Sequence, residues 1–281
     1  MRYTVEQFNK EFPYGRDCLQ AIFDNRYGGL HACPKCGVDN PKFYRVKGRK
    51  SYACRDCGHQ LYPLARTIFH KSSTDLRKWF YAIYLFSVSK NGVSAKELER
   101  HVGVSYKTAH RMEKQIRKLM ADSNEMLGGI VEADETYIGG RRPIEKRDDN
   151  KTPVLALASR GGKIKTQVTD KANESTAIPF MRANVKEGSI INTDESKIYT
   201  KVKMFYTHES VRHISKIWSE NGVHTNNLEG FFSQLKRSLD GTYHAVSPFY
   251  LHSYVDEFAF RYNHRKELIF PLLLEQAVKH A

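Results

Sequence analysis

Apolar positions along the chain change their rhythm in three places, and each change marks a different kind of element. Residues 1–30 have helical spacing that gives way to a loop ending in RYGGL. Residues 31–63 set short aromatic, strand-like runs between cysteines. Over 73–120 apolar residues recur every three or four positions, the period of amphipathic helices. The pair Gly128-Gly129 closes that stretch. Beyond it the pattern predicts strands at 130–138, 154–159 and 164–169, the last two flanking Arg-Gly-Gly as a hairpin would. A helix is expected over 175–185, a short strand over 189–193, a helix over 195–203 and a further short strand over 211–214. Amphipathic helices follow at 226–239 and 249–263. The polar, basic stretch GGRRPIEKRDDNK reads as a hairpin or loop. There is no internal repeat and no low-complexity tract. The plan is α/β with a mixed sheet.

Charge changes this picture by adding a partner. Lys and Arg outnumber Asp and Glu by 45 to 31, giving a formal charge of +14. The basic residues cluster beside aromatics, as expected of a surface that displaces counterions from a polyanion. No run approaches the ~20 apolar residues of a membrane-spanning helix. MRYTVEQFNKEF contains acids and no apolar stretch, unlike a signal peptide. A cytoplasmic location near the chromosome is expected.

Of the five cysteines, four form CPKCG (33–37) and CRDCG (54–58), with 17 residues between Cys36 and Cys54. That spacing predicts a structural Zn²⁺ held by Cys33, Cys36, Cys54 and Cys57, with Cys18 uninvolved. A redox role for the CxxC pairs would call for a thioredoxin-like βαβ context, which is absent here. Between the pairs, FYRVKGRKSYAC interleaves aromatics with Arg45, Lys47, Arg49 and Lys50, a composition suited to phosphate contact. Residues 93–120 have helix-turn-helix anatomy: Ser94 as first cap, Leu98 facing inward, Gly103 in the turn and Ser105 as second cap. Tyr106, Lys107, His110 and Arg111 would then face a DNA groove.

Three acids stand where a carboxylate is costly without chemistry to do. Asp134 lies in the strand-like IVEADETYIGG, beside Gly139 and Gly140, with Glu132 and Glu135 as local rivals. Strand alternation puts Glu132 and Asp134 on one face and Glu135 on the other. Asp194 ends the apolar run IINT; capping the following segment is its other possible use. Glu229 opens an amphipathic helix whose buried stripe is Leu228, Phe231 or Phe232, Leu235 and Leu239. Lys236 lies two turns along on the same face, followed by Arg237, and both are candidate DNA contacts. Asn226, one turn earlier, is an alternative third ligand. Glu257 is a weaker rival, since Arg261 at i+4 offers it an ion pair. Strand, strand and helix in this order is how an RNase H-like sheet builds a site for two divalent metals.

These motifs occur in a set order: CPKCG…CRDCGHQ, EADETYIGG, TDES, HTNNLEGFFSQLKR and EFAFRYNHR. Together they resemble bacterial insertion-sequence transposases of the DDE superfamily, in particular the ISXO-like group with an N-terminal zinc ribbon. The resemblance spans nearly the whole chain. It implies an RNase H-like core and Mg²⁺- or Mn²⁺-dependent cleavage and strand transfer, with two ions per site. It places the acids at Asp134, Asp194 and the HTNNLEG segment, where some relatives use an Asn, here Asn226. A carboxylate binds Mg²⁺ better than an amide does, which favours Glu229. The expected domains are 1–65 with the zinc ribbon, 66–125 with the helix-turn-helix-like region and 126–281 as catalytic domain. Expected partners are double-stranded DNA, as terminal inverted repeats and as target, and further copies of the chain. A catalytically silent DNA-binding regulator and a nuclease without strand transfer are the competing functions.

Overall fold

A computed structural model of the chain describes residues 3–121, 125–139, 151–210 and 224–279. It divides into two compact units, one built from the chain up to Ser89, Val93–Leu119 and the stretch from Lys266 onward. The other comprises Lys90–Gly92 and Met120–Arg265. No helix among the described residues is long and apolar enough to cross a membrane.

In the first unit, α1 (Val5–Glu11) begins at Thr4, whose hydroxyl accepts the Gln7 N–H while the Gln7 side chain accepts the Thr4 N–H. This reciprocal cap satisfies two donors that a helix start leaves open. α2 (Gly15–Tyr27) carries the buried Cys18, Leu19, Ile22 and Phe23. Phe23 stacks on Tyr52 with ring centroids 4.0 Å apart, and so ties α2 to a small antiparallel sheet. That sheet contains β1 (Phe43–Arg45), β2 (Tyr52–Cys54) and β3 (Gln60–Leu61) in sequence order. α3 (Leu76–Val88), capped by Asp75, is the apolar centre of the unit. α4 (Ala95–Val102) and α5 (Tyr106–Lys118) pack on it.

The helix-turn-helix anatomy is present in detail. Ser94 caps α4 through the Glu97 N–H, and Ser105 caps α5 through the Thr108 N–H. Between them Gly103 adopts φ +64°, a left-handed conformation that ends α4 at little cost only for a residue without Cβ. Leu98 is fully buried, while Tyr106, Lys107, His110 and Arg111 are exposed along one side of α5. α9 (Ile269–Lys279) completes the unit by packing on α3 and α2. Its Phe270 sits among Tyr3, Phe8, Phe12 and Tyr84.

The second unit is a five-stranded mixed sheet flanked by helices, in the order β6-β5-β4-β7-β8. β4 (Ile130–Ile138) pairs antiparallel with β5 (Thr152–Ser159), and β5 with β6 (Ile164–Val168). β7 (Ile190–Thr193) runs parallel to β4, and β8 (Thr207–Ser210) parallel to β7. Alternation along the central strands sends Val131, Ala133, Leu155 and Leu157 to one face, against Ala177, Phe180 and Met181 of α6 (Glu174–Asn184). Val154, Ala156 and Ala158 go to the other face, against α7 (Asn226–Ser238) and α8 (Pro248–Asn263). β5 is covered on both faces, which explains its near-continuous apolar run TPVLALAS.

One expectation changes. Residues 195–203 are not a regular helix but two 3₁₀ turns, Lys197–Tyr199 and Val202–Met204. Tyr199 ends the first turn and Val202 begins the second, and both are buried. The strand at that edge is β8, whereas the expected strand at 211–214 lies outside the described residues, as does the 140–150 part of the basic loop with Gly140.

Candidate catalytic and metal sites

The parallel register of β4 and β7 pairs Glu132 with Asn192, so continuing it by two residues brings Asp194 alongside Asp134. Asp194 lies just past the C-terminal end of β7, where its Oδ1 accepts the Ser196 N–H at 3.0 Å. Carboxylate oxygens of Asp134, Glu135 and Asp194 all lie within 4.8 Å of one another. Glu135 leaves β4 on the opposite face from Asp134, as alternation requires. There it accepts from the Tyr199 hydroxyl at 2.9 Å and the Ser196 hydroxyl at 3.3 Å. Those contacts span more than sixty residues, and no local pattern announces them.

Burial and crowding set the electrostatics. The Asp134 carboxyl is pushed up from 3.8 to about 7, first by burial and then by the charge of Asp194. A backbone N–H from Glu135, at 2.7 Å, works in the other direction. The charges of Glu135 and Glu229 add to the rise. Glu135 is also raised, mainly by burial, with the Tyr199 hydrogen bond opposing. Half-buried acids that repel one another in this way are a natural seat for a divalent cation, which removes the repulsion. The oxygen-only donor set suits a hard ion such as Mg²⁺.

Glu229 occupies the first turn of α7 and is half-buried, close enough for its charge to act on Asp134. Asn226, the first residue of α7, is exposed. Its neighbour Asn227 is bound to Glu132, through its backbone N–H at 3.0 Å and its side-chain N–H at 2.7 Å. Lys236 and Arg237 are exposed near the C-terminal end of α7. Glu257 is fully buried and paired with Arg261 at 2.6 Å, and it also accepts from the Tyr243 hydroxyl. It is part of the packing of α8.

The cysteines form a second cluster in the first unit. The four sulfurs of Cys33, Cys36, Cys54 and Cys57 lie within 4.8 Å of one another, and those of Cys33 and Cys57 are 3.8 Å apart. A tetrahedron with Zn–S bonds of about 2.3 Å has edges of about 3.8 Å, so the geometry fits zinc. Both CxxC turns are built alike: Gly37 N–H donates to the Cys33 carbonyl and Gly58 N–H to that of Cys54. Gly37 and Gly58 have φ of +70° and +69°, which is why glycine follows each pair. Backbone N–H groups of Cys36 and Lys35 draw the Cys33 thiol down to about 6, toward the thiolate that zinc requires. Cys18 lies apart and fully buried, its thiol pushed up to about 12 chiefly by burial.

Comparison with known proteins agrees with this division. Residues 126–263 match the family described as ISXO2-like transposase domain, and residues 15–60 the transposase zinc-ribbon domain. A protein of the transposable element ISH50 from Halobacterium salinarum is 28% identical over 253 residues, covering 82% of this chain and 85% of its own length. Among solved structures, the simian T-cell lymphotropic virus intasome in complex with the PP2A regulatory subunit B56 gamma matches with a TM-score of 0.32 at 12% identity. That match covers 62% of this chain and 66% of the other, too slight a likeness to bear on fold or function.

Proposed function

The chain belongs to the ISXO2-like transposases, with a transposase zinc ribbon ahead of the family domain, and on that premise we propose that it cuts and joins DNA at the ends of a mobile element. The observation that carries this reading is the meeting of Asp134, in the middle of β4, with Asp194, just past the end of the adjacent parallel strand β7, with the charge of Glu229 felt at Asp134. The strand order, with three antiparallel strands followed by two parallel ones, is also the order expected of an RNase H-like core.

Asp134, Asp194 and Glu229 would hold two Mg²⁺ or Mn²⁺ ions, which supply Lewis-acid stabilisation of the attacking and leaving oxygens. Asp134 is fixed for that task by the Glu135 N–H, and Asp194 by the Ser196 N–H. In the first reaction a water gives up a proton as its oxygen bonds to the phosphorus at the element's end, and the 3′-oxygen leaves and takes up a proton. In the second, that 3′-hydroxyl gives up its proton as it bonds to a target phosphorus, and the target's own 3′-oxygen leaves and takes up a proton. No covalent enzyme intermediate is needed. Lys107 and Arg111 on α5 and Lys236 and Arg237 on α7 are the proposed DNA contacts. Zn²⁺ on the four cysteines holds the ribbon together. Copies of the chain would bind paired ends, and the enzyme would work in the cytoplasm on double-stranded DNA.

The test uses a duplex carrying the terminal inverted repeat, with Mg²⁺ or Mn²⁺, and a second duplex already cut at the 3′ end. Cleavage of the first and joining of the second to target DNA are the expected results. Cleavage without joining would make the chain a nuclease. Binding without either reaction would make it a regulator.

A further inference from the structure

Glu132 has no exposed surface, yet it lies outside the gathered set Asp134, Glu135 and Asp194. A buried carboxylate is costly unless its oxygens are met by donors. Here they are met from α7 and its approach. Oε2 accepts the Asn227 backbone N–H at 3.0 Å, and Oε1 accepts the Asn227 side-chain N–H at 2.7 Å. His224 Nδ1 lies 3.1 Å from Oε1, and Arg160 Nε lies 3.8 Å away.

The N-terminal geometry of α7 explains why this matters. A helix start leaves its first N–H groups open, and the capping side chain usually takes the second or third of them. Thr225, in the capping position of α7, makes no such bond. The open N–H of Asn227 is taken instead by Glu132, from a strand 95 residues earlier. A carboxylate in that place also suits the positive end of the helix dipole. Glu132 precedes Asp134 by two residues on the same face of β4, and Asn227 precedes Glu229 by two residues in α7. One clamp therefore ties the segment bearing Asp134 to the segment bearing Glu229.

We propose that Glu132 is a positioning residue: it caps the first turn of α7 from β4 and so fixes Glu229 beside Asp134. This rests on the metal-dependent function proposed above. Loss of the clamp acts through Glu229, so it weakens metal binding while leaving DNA binding alone.

The test uses the full chain and the variants E132Q, N227D and the double variant E132Q/N227D. Three readouts are taken: Mn²⁺ bound without DNA, followed by the loss of its free EPR signal; the Mn²⁺ concentration for half-maximal cleavage; and hydrogen exchange of the first-turn amides of α7. Each single variant should raise the Mn²⁺ requirement about ten- to a hundredfold, the usual effect of removing a partner that orients a ligand. Each should also speed exchange at the start of α7. In E132Q the negative charge at the helix start is lost and the side-chain pair survives only if Asn227 turns its amide over to present Oδ1; in N227D two carboxylates meet. The double variant reverses the direction of the hydrogen bond, since the amide at 132 donates to the carboxylate at 227 while its oxygen still accepts the backbone N–H. It should recover most of the Mn²⁺ affinity, which general damage to the fold would not allow. Unchanged Mn²⁺ binding in both single variants, with wild-type cleavage intact, would overturn the positioning role and leave the proposed function standing. Failure of the double variant to recover would also overturn it. A wild-type chain that neither binds Mn²⁺ nor cleaves would instead overturn the functional reading on which the inference rests.

Discussion

Asp134 is half-buried beside another carboxylate, and both conditions favour its protonated form. Its folded value of about 7 lies above the ordinary 3.8, so the folded chain holds a proton that the unfolded chain gives up. The stability this confers is complete below the unfolded value and is lost as pH rises through about 7. In chelator-treated protein, the melting temperature of Asp134→Asn minus that of wild type should therefore grow between pH of about 5 and about 8. Mg²⁺ should shrink the difference by stabilising the ionised site, and a pH-independent difference would count against the crowded-acid account. The same residues set the chemical test. Asp134→Asn, Asp194→Asn and Glu229→Gln should each lower cleavage roughly a hundredfold or more, the scale of losing Lewis-acid stabilisation, with end binding nearly unchanged. Asn226→Ala, tested beside them, should stay active; a dead Asn226→Ala with an active Glu229→Gln would move the third ligand to Asn226.

At the scale of elements, the two CxxC turns and the helical pair make separate predictions. Cys54→Ser should abolish the zinc found by metal analysis of the purified chain and unfold β1–β3, because metal binding and folding of such a small sheet are one process. Cys18→Ser should keep its zinc. Replacing Lys107 and Arg111 together should weaken specific DNA binding and lower the slope of log affinity against log salt by about 2. Two lysines elsewhere on the surface, replaced as a control, should cost less affinity; equal losses would make α4 and α5 an ordinary packed pair. How far the elements can be read from sequence follows their physics. β4 and the β5–β6 hairpin are plain because alternation, apolar runs and Gly-Gly coincide there. The caps at Ser94 and Ser105 are plain because capping is local. β8 is hidden, since Thr207-His208-Glu209-Ser210 has no apolar alternation and owes its strand form to backbone pairing with β7. Past residue 263, Phe270, Leu273 and Ala277 of IFPLLLEQAVK follow helical spacing, but Pro271 near its start obscures the beginning of α9. The site was half legible: Asp134 and Asp194 stand out as acids ending apolar runs. The Glu132–Asn227 bond and the Tyr199–Glu135 bond join distant segments, and only the folded sheet brings them together.

For the molecule as a whole, the first unit is discontinuous in sequence. Its ring cluster around Phe8, Phe12 and Tyr84 is filled by Phe270, and Leu273 and Ala277 of the same helix are fully buried. Losing a whole buried helix face removes several side chains, each worth about 2–5 kcal/mol by truncation to Ala. A fragment of residues 1–119 should therefore melt less cooperatively than the full chain, and joining 266–279 to it through a flexible linker should restore a sharp transition. An equally sharp transition in the fragment alone would show α9 to be dispensable. During translation the same arrangement becomes a matter of timing. The ribosome must add nearly 150 residues after α5 before α9 exists, which takes on the order of ten seconds or more at ordinary elongation rates. Throughout that interval the surface that receives Phe270 has no α9 to cover it. A ribosome that stops early releases a polypeptide without α9, so premature termination takes a helix from the first unit as well as strands and helices from the second.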